Sequence, residues 1–131
     1  MNEEYFVKTF VKKSHQERLL HELTSEKKRY RGLDRFSHHA DELLDHRLVI
    51  MHDRNLENMP AFHDYLNARK ETCVLMSTDP WLDQKILPAS EAAQEAAFSS
   101  EAVIIPGNGF CIVFGEAEKG GREKYLLEVK K

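Results

Sequence analysis

The stretch Ala102-Val103-Ile104-Ile105-Pro106-Gly107-Asn108-Gly109-Phe110-Cys111-Ile112-Val113-Phe114-Gly115 decides the fold class. Two apolar runs flank Asn108-Gly109, a dipeptide that tolerates the positive φ which a type I′ hairpin turn needs at both central positions. With those two residues as the loop, Ile105 faces Ile112 and Val103 faces Phe114, while Ile104 faces Val113 on the opposite side. Both sides of this ribbon are apolar, so both are expected to be covered. Pro106 cannot donate to a ladder and marks an edge, a bulge or the end of pairing. Beyond a charged loop with Gly120-Gly121, residues 124–129 supply a third strand. Tyr125, Leu127 and Val129 point one way and Glu128 the other, which predicts a half-exposed strand near an edge.

Upstream, residues 5–11 alternate Val7, Thr9 and Val11 against Phe6, Lys8 and Phe10, which predicts a first strand. Ser14 and Glu17 have the spacing of a capping box, opening a helix with Leu19, Leu20 and Leu23 inward. Gly32 punctuates the chain, and Asp34 is placed to cap a second helix whose stripe is Leu33, Phe36, Ala40, Leu43 and Leu44. A short strand is expected over 48–51. Asn58 is placed to cap a helix with Pro60 in its first turn and Met59, Phe62, Tyr65 and Leu66 inward. A strand over 71–77, a connection over 78–87 and an alanine-rich helix over 88–99 complete the chain.

Strands separated by helices predict parallel pairing through crossovers, with the C-terminal meander antiparallel. The expected class is α+β. It is a mixed sheet of about six strands with helices packed on it, as a two-layer sandwich in preference to a three-layer α/β arrangement, since about four helices are few for two whole faces.

At 131 residues, the chain has the size of one domain spanning residues 1–131. Its net charge of −3 and pI near 6.2 give no general basic excess to hold nucleic acid or an anionic membrane. Cys73 and Cys111 sit in apolar runs and read as buried, reduced thiols. Two early acids and no apolar leader argue against a signal peptide, and no run is long enough to span a bilayer, so a cytoplasmic protein is expected.

Three groups of residues carry candidate chemistry. Segment 27–35 is dense in positive charge; Lys28, Arg29, Arg31 and Arg35 supply donors and Tyr30 a stacking face, suited to an acidic protein partner or an anionic small molecule. The bland alternative is a solvated loop balanced by acids elsewhere. The second group lies after the strands. His52 and Asp53 are acid–base candidates with Arg54 as an anion clamp, and Asp79 and Trp81 line the same expected pocket. The third is His39, Glu42 and His46, which share a helical azimuth and suit a divalent metal if the helix persists to His46. The tip Lys119-Gly120-Gly121-Arg122 is a further place for an anion or partner contact.

No nucleophile elbow, glycine-rich phosphate loop or His-Glu-x-x-His string is present, and no cofactor is expected. The leading expectation is therefore a small non-enzymatic protein- or anionic-ligand-binding domain using segment 27–35. The alternatives are a small enzyme built on His52 and Asp53, and a divalent-metal protein. Nothing in the sequence specifies an oligomeric state.

Overall fold

The computed structural model describes residues 3–130. Among them are five α-helices: α1 (Glu3–Phe10), α2 (Lys13–Thr24), α3 (Arg29–Leu43), α4 (Pro60–Asn67) and α5 (Ala89–Phe98). The strands are β1 (Val49–His52), β2 (Thr72–Val74), β3 (Met76–Ser77), β4 (Ile86–Pro88), β5 (Val103–Pro106), β6 (Phe110–Phe114) and β7 (Lys124–Glu128). Five of them form one sheet in the order β1-β7-β6-β5-β3, and β2 pairs with β4 in a separate ribbon. The class is α+β. None of the described helices is long and apolar enough to cross a membrane.

The hairpin adopts the register read from its apolar runs, with Val103 opposite Phe114, Ile104 opposite Val113 and Ile105 opposite Ile112. Its turn differs from type I′. Gly109 has φ +82° while Asn108 stays at negative φ, so only the second central residue uses the left-handed region. The Gly107 amide closes the loop onto the Phe110 carbonyl at 2.8 Å.

Alternation divides the sheet between two cores. Ile104, Cys111, Val113, Tyr125 and Leu127 pack with Phe6, Phe10, Leu19, Leu23 and Phe36 of α1, α2 and α3. Val103, Ile105, Phe110, Ile112, Phe114 and Leu126 pack with Phe62 and Leu66 of α4 and the alanines of α5. Both thiols are free and buried.

Five expectations are corrected. Residues 5–11 are mostly α1, not a strand. Phe6, Val7 and Phe10 are its buried side, and Lys8 reaches Glu4 one turn back at 2.6 Å. In a strand, Lys8 would have shared a face with Phe6 and Phe10; a helix turns it to solvent.

The sheet is antiparallel throughout, not mixed. The helices between strands do not act as crossovers, because β1 pairs with β7 and β3 with β5 instead of with each other. The third strand of the meander, β7, is interior, since β1 covers its outer edge.

Lastly, the expected caps are absent. α2 begins after Lys12, α3 after Lys28 and α4 after Met59, none with a side-chain cap. Segment 71–77 also splits. Leu75 exchanges backbone bonds with Gln84 and Lys85 in the β2–β4 ribbon, whereas Met76 and Ser77 turn to β5.

Candidate binding surface

Arg29, at the start of α3, is drawn inward. Its guanidinium meets the Asp83 carboxylate through Nη2 at 2.8 Å and Nε at 3.1 Å, and grips Glu3 of α1 at 2.5 and 2.7 Å. Gln84 adds a bond to the same Glu3. Bonds to Asp83, then to Glu3, hold the Arg29 cation still more firmly protonated than usual. Arg29 therefore joins α1, α3 and the turn after β3. It is a brace, with its fork occupied.

Arg35 is also committed internally. It bonds the Glu22 carboxylate through Nε at 3.2 Å and through Nη2. Glu22 is only 5% exposed, so this pairing is what lets a carboxylate lie between α2 and α3. Gly32 faces the same residue, and a Cβ there would fall 2.8 Å from Glu22 Cβ. The glycine read as punctuation is thus inside the helix, at a close helix–helix approach. Lys28, Tyr30 and Arg31 remain exposed, and neither Lys28 nor Arg31 has an ion-pair partner among the described residues.

The turn that Arg29 braces carries Asp79 and Trp81. Asp79 Oδ1 accepts from the Trp81 amide at 2.9 Å, an Asx-turn contact, and Oδ2 accepts from the Ser99 hydroxyl at 2.8 Å. Ser77 Oγ accepts from the Asp79 amide, and Asp83 Oδ1 accepts from the Ser77 amide. Leu82 anchors the turn in the core at 4% exposure, while Trp81 stands out at 85%. The structure thus connects the arginine-rich segment and the Asp-Pro-Trp turn, through Arg29 and Asp83.

His52, Asp53 and Arg54 lie elsewhere. The row His52–Tyr125–Val113–Ile104–Met76 crosses the sheet, so His52 and the end of β3 are four strand spacings apart, roughly 19 Å at about 4.8 Å each. One pocket formed by both strand ends is therefore ruled out as an arrangement. His52 and Asp53 also do not pair, since consecutive extended residues diverge. Asp53 Oδ1 accepts from the Asn55 amide. His52 Nε2 instead sits 2.7 Å from Glu123 Oε2, with its ring stacked on Tyr125 at 4.3 Å.

Arg54 bonds Glu123 and the Gly120 carbonyl. His52 first, and Arg54 after it, hold the Glu123 carboxyl below its ordinary range. Burial and the nearby Asp41 carboxylate push the Tyr125 phenol up. Beside them is a cleft of about 200 Å³ whose walls include His38, Asp41, Glu116, Glu123 and Tyr125.

The metal candidate does not assemble. His39 Nδ1 and Glu42 Oε2 are 3.7 Å apart, but α3 ends at Leu43, one turn short of His46. His46 opens a 3₁₀ turn and faces Asp41, its Nε2 2.5 Å from the carbonyl oxygen. No group of three or more His, Cys, Asp or Glu among the described residues is placed to hold a metal ion.

At the 119–122 tip, Arg122 points into the molecule. It donates to the Ala96 and Glu101 carbonyls at 2.8 and 2.5 Å and also to that of Gly115.

Sequence reasoning missed the bracing partners Glu3 and Asp83 and the carbonyl-binding Arg122, whereas Glu22 is among the acids read as balancing segment 27–35. It also missed Phe98, 91% exposed at the end of α5. The partners are remote in the chain and left no local signal, but an aromatic at the close of an alanine-rich helix was a visible anomaly. Neither family models, nor curated proteins, nor solved structures give a match to this chain.

Proposed function

We propose that this protein is a non-enzymatic binding domain that takes an acidic protein segment, with Trp81 as its apolar anchor and, as polar contacts, Lys28, Tyr30 and Arg31 of the segment whose Arg29 braces the Trp81 turn. One observation carries the reading: Trp81 is 85% exposed on a turn that is itself held by side-chain bonds from Asp79 and Asp83. A large aromatic held in water gives up hydrophobic stabilisation of about 2–3 kcal/mol. A rigid mount removes part of the ordering cost of a partner's binding. Tryptophan, tyrosine and arginine are also the residues that most often dominate interface energetics.

Charge selects the partner class. Arg29 and Arg35 are neutralised internally, so Lys27, Lys28 and Arg31 are what the segment presents to solvent. Three unpaired cations on the segment that braces an apolar anchor favour a partner with carboxylates flanking an apolar residue.

The test uses peptides selected from a randomised display library against the native protein and then synthesised. Trp81 is the sole tryptophan, so its emission reports directly. The expected result is an acidic bias in the selected peptides, a blue shift of Trp81 emission on binding, and affinity lost at least about tenfold in W81A and in R31E. Peptides without acidic bias, or equal binding to W81A, would overturn the proposal.

A further inference from the structure

Phe98 stands beside a groove of about 380 Å³ between α4 and α5, and is one of its walls. Phe62, Leu66 and Ala93 give the groove an apolar floor. Asn67, Ser90 and Gln94 rim it. We propose that this patch is a contact between two copies of the chain, each placing its Phe98 ring in the groove of the other.

The patch is self-complementary. A surface with only a projecting ring, or only a hollow, calls for a different partner. A surface with both on one patch matches itself under a twofold rotation, the symmetry of the commonest dimers. Phe98 is the projection, 91% exposed although it follows four buried alanines on the same helix. The hollow exists because α5 offers Ala93 and Ala97 where larger side chains would fill the space toward α4.

The rim agrees with a like partner. A twofold contact sets each charge near its own copy, so an unpaired charge would repel. Asn67, Ser90 and Gln94 are neutral, and each both donates and accepts hydrogen bonds; His63, which also lines the groove, has its Nε2 2.5 Å from the Glu57 carbonyl oxygen. Glu57, the one acid on the groove, is paired with Lys124 Nζ at 2.6 Å. The segment that braces the Trp81 turn is the opposite case, because its unpaired Lys28 and Arg31 would face themselves across a twofold axis. The two surfaces thus differ in the partner they accept, and the dimer does not depend on the acidic-segment reading.

Sedimentation equilibrium of the full chain, from micromolar to millimolar concentration, tests this. The wild type should show a monomer–dimer equilibrium that does not weaken with added salt. F98E should raise the dissociation constant on the order of a hundredfold or more. A97W, which fills the hollow and keeps the projection, should do the same. W81A should leave the equilibrium unchanged. F98E alters an exposed residue, and an unchanged thermal midpoint of the dilute protein will show that it folds; F98S serves if it does not. A wild type that stays monomeric, a dimer that persists in F98E or A97W, or one lost in W81A would each overturn the proposal.

Discussion

The Arg29 guanidinium and the Asp83 carboxylate meet side-on, 54 residues apart in the chain, and this pair fastens the turn carrying Trp81 to the first turn of α3. Both side chains are about one-fifth exposed, and Glu3 shares the guanidinium. Truncating Arg29 leaves two carboxylates close together and partly shielded from water. R29A should therefore cost about 2 kcal/mol, between the values for exposed and fully buried pairs. D83N should cost less, because Arg29 keeps Glu3. Urea unfolding of both variants checks the order. Trp81 anisotropy should also fall in R29A, and an unchanged value would mean that the pair does not hold the turn.

W81A should be nearly silent in stability, within about 0.5 kcal/mol of wild type, because so exposed a ring makes few contacts to lose. The same substitution is expected to abolish peptide binding. That separation distinguishes an anchor for a partner from a structural residue. A loss of stability above about 1.5 kcal/mol in chemical denaturation would place the ring in the fold instead.

G32A sets two effects against each other. Alanine in a helix interior is favoured over glycine by about 1 kcal/mol. Against it, the new Cβ would meet Glu22 Cβ at 2.8 Å. That neighbour is fixed by its own helix backbone and cannot swing aside, so α2 and α3 must separate. Overpacking of this kind costs about 1–3 kcal/mol, and the Glu22–Arg35 bond between the helices is strained as they part. Net destabilisation is expected, read as a lowered thermal midpoint; a stabilised variant would refute the tight crossing.

What the sequence disclosed and what it hid follow from range. The β5–β6 register was legible because apolar residues at a period of two flank a two-residue turn, and local spacing then decides every pair. Segment 5–11 misled because Phe6, Val7, Phe10 and Val11 fit a helical stripe while their neighbours also alternate. Lys8 was the discriminating residue, since a strand would have placed it on the face of Phe6 and Phe10. Strand direction was hidden because β1 and β3 find partners more than twenty residues downstream.

The candidate site divided in the same way. Lys28, Tyr30, Arg31 and Trp81 were legible as chemistry-bearing surface residues. That Arg29 and Arg35 face inward was not, since their partners are 54, 26 and 13 residues away. His39, Glu42 and His46 shared an azimuth only on the premise of a helix that stops at Leu43.

Alkaline stability offers a check on the two cores at once. Burial pushes the Cys73 thiol up to about 11 and the Cys111 thiol well above its usual value. The Tyr65 and Tyr125 phenols are raised too, by burial first, with Glu128 and Asp41 as the respective acidic neighbours. For each group the unfolded chain releases its proton first. The contribution to stability is thus complete below the unfolded thiol value of about 8.5 and is lost as pH rises toward the folded values. Each thiol contributes a slope of at most about 1.4 kcal/mol per pH unit in that window. Urea midpoints should hold steady from pH 7 to pH 8 and fall progressively above pH 9. In C73A the decline should be shallower, after allowance for the cavity the substitution leaves. Native protein at pH 8 should also resist thiol-specific labelling until it unfolds. Rapid labelling of the folded chain would show that at least one cysteine is not enclosed in its core.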